Sequence, residues 1–243
     1  MKTTKAQDRA RSAKAARRER RKDDDRRRDL RLTPLGGTMD PVVLRRTFDA
    51  FSSVDLGGSW EALSPMVLPL LKRVAHPFPS EAAPIHLRVP PGVWAGFGID
   101  VGPAWAHVSR ALLDRWGVDE ATLLGTALEN LRRRAIAEPP RVERMTVGGT
   151  TVTVAQAQGW GSALILAPDR LGEVIGPRPS LLLTPVRNAL VALPEDVEVD
   201  LAVAIWESFA EGCHDELDVD PLRWTGSAVI AFAENPDTHE LVH

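Results

Sequence analysis

Tyrosine is absent from this sequence, and cysteine occurs once, as Cys213. A single cysteine excludes an internal disulfide and a cysteine-rich zinc site built within one chain. No apolar run approaches the roughly 18 to 20 residues that a membrane-spanning helix needs, and the charged start lacks the apolar core of a secretory signal. Together these absences predict a cytoplasmic protein that has no contact with a membrane.

Most motifs of common enzyme classes are also missing. Residues 239–243, "HELVH", have HExxH spacing, but that spacing alone is not specific for a zinc site, and no other pair of histidines has HxxxH spacing. No GxxxxGK[ST] phosphate loop occurs, and "GWGSA" around Ser162 differs from the G-x-S-x-G of hydrolases. The glycines of "GWG" and "AGFG" are interpreted as turns. We therefore predict no cofactor, no metal and no catalytic residue, which favours a non-enzymatic protein.

Charge is distributed unevenly along the chain. The net charge is −3, yet residues 1–32 contain 14 Lys or Arg and 6 Asp or Glu, so the remainder is strongly acidic. The start has almost no large apolar residues and cannot offset the entropy cost of ordering. We predict a disordered or transiently helical basic arm over residues 1–38 and one globular domain over residues 39–243, where the apolar residues suffice for a core.

The basic arm is a candidate for contact with nucleic acid, because clustered basic residues neutralise phosphates without reading sequence. Interspersed acids such as Asp23 lower its positive potential, so a solvated tail, or one folded against the acidic body, is the alternative. Met39 directly precedes the first capped helix, which leaves open a translation start at that residue. The candidate residues are Arg17, Arg18, Arg20, Arg21, Lys22, Arg26, Arg27 and Arg28.

Helical spacing of apolar residues indicates several helices. Asp40 is placed to cap the first, and Ser59 to cap a second that carries apolar residues as far as Leu71. Residues 197–213 have one apolar face, which either packs internally or is offered to a partner. The chain therefore has helices on both sides of its central region.

Extended segments lie between these helices. "VERMTVGGTTVTV" predicts a hairpin that pairs Val147 with Thr150, since Gly-Gly suits a two-residue turn. "APIHLRVPPGVWAGFGIDVG" and "SLLLTPVRNALVALP" each predict two strands, the second pair broken at residues 184–188. "GWGSALILAPDRLGEVIG" predicts a strand, a Pro-Asp turn and a short helix, and "SAVIAFAE" predicts a last strand. The pattern indicates an α+β fold with a mostly antiparallel sheet flanked by helices.

The most regular stretch is "LLDRWGVDEATLLGTALENLRRR", residues 112–134. Gly117 is predicted to stop one helix and Asp119 to cap the next, while Asn130 alone has no assigned partner. With "APDRLGEVIG", "LLLTPVRNALVALP" and "DVDPLRW", this stretch resembles the YtpQ-like family, a group of bacterial proteins of unassigned function. The resemblance covers roughly residues 100–232. It implies a shared fold, and it implies no reaction.

Arg187 and Asn188 are the candidate ligand-binding residues, because a guanidinium between apolar segments can donate two parallel hydrogen bonds to a carboxylate or phosphate. The alternative is a turn at a strand end whose polar side chains satisfy backbone groups. We interpret Cys213 as a core residue rather than as one of a pair with His214, since neighbours on a helix point about 100° apart. The acidic stretch "HDELDVDP" is interpreted as a solvated turn, because it lacks the glycine of a calcium loop.

Three functional hypotheses follow. The first is a cytoplasmic binding protein with an unknown protein partner, motivated by the absence of any assembled catalytic group. The second is a protein that associates with nucleic acid through residues 1–38. The third is an enzyme with a pocket near Arg187.

Overall fold

The computed structural model describes residues 45–46, 49, 52–72, 84–102, 104–211, 217 and 219–232. The chain divides into two units, residues 1–48 and 49–243. In the first unit Arg45 and Arg46 are helical, which agrees with the first predicted helix. The predicted arm, with all eight of its candidate basic residues, lies outside the described residues.

The second unit contains helices and antiparallel sheets, which confirms the α+β prediction. Its helices are α1 (Trp60–Leu63), α2 (Arg110–Trp116), α3 (Glu120–Ala137), α4 (Pro168–Ile175) and α5 (Val199–Ala210), with 3-10 helices at Ser64–Met66 and Gly161–Leu166. Its strands are β1 (Val67–Lys72), β2 (His86–Val89), β3 (Val93–Asp100), β4 (Trp105–His107), β5 (Arg141–Val147), β6 (Thr150–Gln156), β7 (Ser180–Val186), β8 (Ala189–Pro194), β9 (Leu222–Trp224) and β10 (Val229–Ala231).

The strands form two sheets rather than one. In the first, β3 is central, with β1 along one side and β2 and β4 along the other. The second has the order β10-β9-β7-β8-β6-β5, and every pairing in it is antiparallel. The predicted hairpin is present in the predicted register, with Val147 opposite Thr150. Strand β5 is consequently at one edge of the six-stranded sheet.

Apolar side chains cover both faces of the six-stranded sheet. One face joins the core shared with the first sheet and α3, where Leu71, Leu131 and Leu182 are buried together. Helix α5 covers the other face through Ala202 and Ile205. The apolar face predicted within residues 197–213 therefore packs internally as far as Ala210, while Cys213 lies outside the described residues.

Short-range contacts set the ends of the α2–α3 pair, and Gly117 and Asp119 act there as predicted. The Ser109 hydroxyl accepts a hydrogen bond from the backbone N–H of Leu112 at 3.2 Å and caps α2. Gly117 ends that helix at φ 65°, in the left-handed region that glycine adopts without strain. Asp119 then caps α3 by accepting from the N–H of Thr122 at 2.7 Å. These short-range bonds set both helix ends.

The predicted second helix is only partly correct. It is helical from Trp60, but the chain becomes strand β1 at Val67. Pro69 lacks the N–H that a helix would need, and among the described strands β1 pairs only with β3, so proline is tolerated on its open side. Leu70 and Leu71 are both fully buried although they face opposite ways, which is typical of a strand covered on both faces.

The strand predicted within "GWGSALIL" is wrong, because residues 161–166 form a 3-10 helix. A Cβ on Gly161 would overlap the carbonyl group of Asn188, so this segment packs its backbone directly against the β7–β8 turn. The predicted Pro-Asp turn is also wrong, since Pro168 is the first residue of α4. Tertiary packing rather than local preference decides this region.

The interpretation of the "AGFG" glycines as turns is wrong as well. Gly96 and Gly98 lie inside strand β3. A Cβ on Gly98 would be 2.7 Å from Leu70 Cδ1 and 2.9 Å from Trp105 Cε3, so glycine is required there by close packing. Gly159 of "GWG" does occupy a turn, at φ 80°.

Candidate functional site

Arg187 and Asn188 form the turn between β7 and β8, and the predicted break is narrower than residues 184–188 because Thr184 belongs to β7. The Asn188 side-chain oxygen accepts a hydrogen bond from the N–H of Gly159 at 2.7 Å. The Arg187 carbonyl accepts from the N–H of Ser162 at 3.0 Å. These contacts support the structural explanation of the turn, and a ligand-binding role for the two residues stays a prediction.

The other candidate groups fall largely outside the described part of the chain. Cys213, His214 and most of the acidic stretch are not described, whereas Asp220 is. Within the described ranges no group of three His, Cys, Asp or Glu side chains is placed to hold a metal ion. No helix in those same ranges has the length and apolar character to cross a membrane.

A cleft of about 340 Å³ lies where the end of α3, strand β5 and helix α4 meet. Its lining combines apolar residues with three charged side chains. Arg187 does not line it. The lining residues are Ala135, Pro139, Pro140, Val142, Arg144, Arg170, Glu173 and Val174.

The end of α3 supplies apolar residues of the lining. Helix α3 ends at Ala137, and Pro139 and Pro140 follow, which cannot extend a helix because they lack the backbone donor. The chain then enters β5 at Arg141. Because side chains alternate across a strand, Val142 and Arg144 lie on the same face of the sheet and reach the same cleft.

One of the two arginines that line the cleft is already paired. Arg170 Nη1 lies 2.8 and 2.9 Å from the two carboxylate oxygens of Glu173. Its Nε lies 3.3 Å from an Asp169 oxygen. Two carboxylates therefore neutralise Arg170, and this side chain contributes little attraction for a further anion.

Arg144 differs from Arg170 in that no carboxylate of the described residues lies within ion-pair distance of it. Its Nη2 donates one long hydrogen bond, of 3.4 Å, to the carbonyl of Val174. A guanidinium has five N–H donors in a planar fork, so most of the donors of Arg144 remain available in the cleft. A planar anion such as a carboxylate can accept two of them at once.

Sequence patterns did not predict this cleft. The stretch "VERMTVGGTTVTV" predicts a hairpin, in which Arg144 has no further predicted role. The available signal was the strand alternation, which places a charged residue two positions from Val142 on one face. The sequence did not predict that α4 lines the cleft, because Arg170 and Val174 are brought near β5 only by the tertiary fold.

No family model matches this sequence, and no curated protein or solved structure gives a significant match to it. The resemblance to the YtpQ-like family therefore stays a prediction.

Proposed function

We propose that this chain is a binding protein that takes an anionic, partly apolar group of a partner protein into the cleft at Arg144. The observation that carries the proposal is the guanidinium of Arg144, which lines the cleft together with apolar residues and has no carboxylate partner among the described residues. A carboxylate would meet the fork of Arg144, while an aliphatic portion would contact Pro140 and Val142.

The arrangement of the cleft favours binding over chemistry. Its charged residues are Arg144, Arg170 and Glu173, and the last two are joined to each other. Binding in the cytoplasm, as a non-enzymatic protein of the YtpQ-like type, is the function that we propose on this basis.

The test uses an aliphatic monocarboxylate, valerate, titrated into the full-length protein while the arginine side-chain resonances are followed by nuclear magnetic resonance. We expect the Arg144 signals to shift and Arg144→Ala to weaken binding about tenfold, the loss of roughly one charge-assisted contact. Arg144→Lys keeps the charge and loses the fork, so its affinity should be intermediate.

Arg141→Ala is the matched control, because Arg141 is on the same strand with its side chain 77% exposed and does not line the cleft. It removes the same charge from the surface. Equal valerate affinity in Arg144→Ala and Arg141→Ala would contradict the proposal, since a general loss of positive charge would then explain both.

Binding of nucleic acid through the arm is the second candidate function. It is favoured by the 14 Lys or Arg against 6 Asp or Glu within residues 1–32. Such binding would be weak, independent of sequence and strongly dependent on salt. It would also be independent of Arg144, which separates the two functions experimentally.

A further inference from the structure

Strand β5 is an edge strand that the fold leaves exposed. It pairs with β6 and with no other described strand. Arg144, Met145 and Thr146 are all exposed, and Met145 is 42% exposed although it is large and apolar. An exposed edge of this length presents a row of backbone groups to which another strand can add.

The hairpin geometry shows which backbone groups face outward. In a two-residue hairpin the pair that flanks the turn, here Val147 and Thr150, exchanges both hydrogen bonds, and such pairs alternate along the ladder. The N–H and C=O groups of Val142, Arg144 and Thr146 therefore point away from β6. No other backbone hydrogen bond involves them within the described part of the chain.

The open edge is continuous with the cleft. The side chains of Val142 and Arg144 line the cleft, and their backbone groups form the outward edge. A strand added to β5 would place every second side chain on this same face. The residue opposite Arg144 would meet its guanidinium, and a neighbour two positions away would lie against Pro140 and Val142.

We propose that the outer edge of β5 accepts an extended acidic segment of a partner protein as an additional strand, with a carboxylate side chain at Arg144. The inference rests on the proposed function, because it uses the same cleft. Main-chain hydrogen bonds to β5 supply affinity, and the alternate side chains in the cleft supply selectivity.

Charge favours an acidic segment over two other possible occupants of the edge, the chain's own arm and a second copy of the chain. The chain's own arm is strongly basic and would bring positive charge to Arg144. In a second copy, antiparallel pairing over the whole of β5 would place Arg144 opposite its own counterpart, and like charges directly opposite each other destabilise a strand pair. An acidic segment instead forms a favourable cross-strand pair.

The experiment adds a blocked peptide of alternating Thr and Val with a central Glu to the full-length protein and measures amide hydrogen exchange residue by residue. We expect slower exchange at Val142, Arg144 and Thr146, the outward-facing amides. The same peptide with a central Lys should bind about tenfold more weakly, because it places like charges together. Absence of protection, or equal affinity of the two peptides, would overturn the proposal.

A backbone variant separates the edge from the cleft. Thr146→Pro removes an outward N–H and blocks the edge with its ring, and the β5–β6 ladder does not use that N–H. We expect it to abolish binding of the Glu peptide while leaving valerate binding unchanged. Thr146→Val, which keeps the N–H, should bind the peptide like the parent protein.

The remaining outcomes are distinguishable. Valerate binding that depends on Arg144, without protection of the edge by the peptide, would retain the proposed function and reject the added strand. If valerate binding does not depend on Arg144 and the peptide does not protect the edge, both the proposed function and the added strand are rejected. Protection of Val142, Arg144 and Thr146 that rises with protein concentration in the absence of peptide would identify a second copy as the occupant and overturn the proposal.

Discussion

The side-chain amide of Asn130, in the middle of α3, donates a hydrogen bond of 2.8 Å to the carbonyl of Val67, the first residue of β1. It also donates to the carbonyl of Ser64 at 2.6 Å, and its oxygen accepts from the guanidinium of Arg133. Asn130 is 4% exposed. Asn130, for which the sequence predicted no partner, therefore joins α3 to the start of the first sheet.

We expect Asn130→Leu to lower the free energy of unfolding by about 2 to 3 kcal/mol. The substitution keeps the branching of the side chain but removes the donor to the Val67 carbonyl and one donor to the Ser64 carbonyl, which also accepts from the backbone N–H of Val67. An unsatisfied buried group costs about 1 to 3 kcal/mol. Urea unfolding followed by circular dichroism measures the change. Glu129→Ala, at the exposed neighbouring position, is the control and should change stability by less than about 0.5 kcal/mol. Equal stability of the two variants would show that the Asn130 bonds are dispensable.

The same substitution should have opposite effects at two glycines. Gly98→Ala forces a Cβ against Leu70 and Trp105 and should destabilise the protein by about 1 to 3 kcal/mol through overpacking. Gly125→Ala, on the exposed side of α3, meets no atom within 4 Å and should stabilise by about 0.5 to 1 kcal/mol. Thermal unfolding of both variants checks the signs, and a stable Gly98→Ala protein would refute the close packing at β3.

The cap at Asp119 should make the stability of the protein depend on pH. The hydrogen bond from the backbone N–H of Thr122 lowers the pKa of the Asp119 carboxyl below its usual range. A carboxyl with a lowered pKa in the folded state stabilises the fold at neutral pH and loses that contribution as the pH falls through the lowered value. Asp119→Ala should therefore lower the melting temperature at pH 7, with a gap to the parent that narrows on acidification.

Asp119→Asn is the control for that experiment, because an amide oxygen still caps the helix but does not titrate there. Its melting temperature relative to Asp119→Ala should stay constant over the same acid range. A gap between the parent and Asp119→Ala that is unchanged through this range would show that the charged cap contributes nothing that depends on pH.

Removal of residues 1–38 tests the arm directly. If the arm binds nucleic acid, the full-length protein should retain mixed-sequence DNA at low salt, lose it steeply as salt rises, and lose it entirely on truncation. Gel-shift titrations at several salt concentrations measure this. The Arg144→Ala protein provides the comparison, since it retains the whole arm and should bind DNA like the parent. DNA binding by the truncated protein would place the contact in the folded body.

Sequence patterns predicted the elements whose signals are local. The end of α2 follows from Gly117 and the start of α3 from Asp119, each of which acts within three or four residues of the helix end that it fixes. The β5–β6 register follows from Gly148 and Gly149 in the same way. In these stretches the residues that determine the structure are close in sequence to the helix end or turn that they form.

The errors occurred where distant residues decide the structure. The helical spacing of apolar residues through Leu71 is real, but burial of β1 from both sides selected a strand. Gly161 and Gly98 are read as turn residues until the groups packed against them, Asn188 and Trp105, are known. The candidate cleft shows the same limit, since its walls come from α3, β5 and α4.

The sequence by itself determined the α+β class, the helical pair, the hairpin and the charge difference between the arm and the rest of the chain, because each depends on composition or on neighbours along the chain. Only the tertiary structure decided that Asn130 joins α3 to β1 and that Arg144 lines a partly apolar cleft beside an open sheet edge. The physical reason is that burial and the pairing of polar groups depend on segments far apart in sequence, which local preference does not encode.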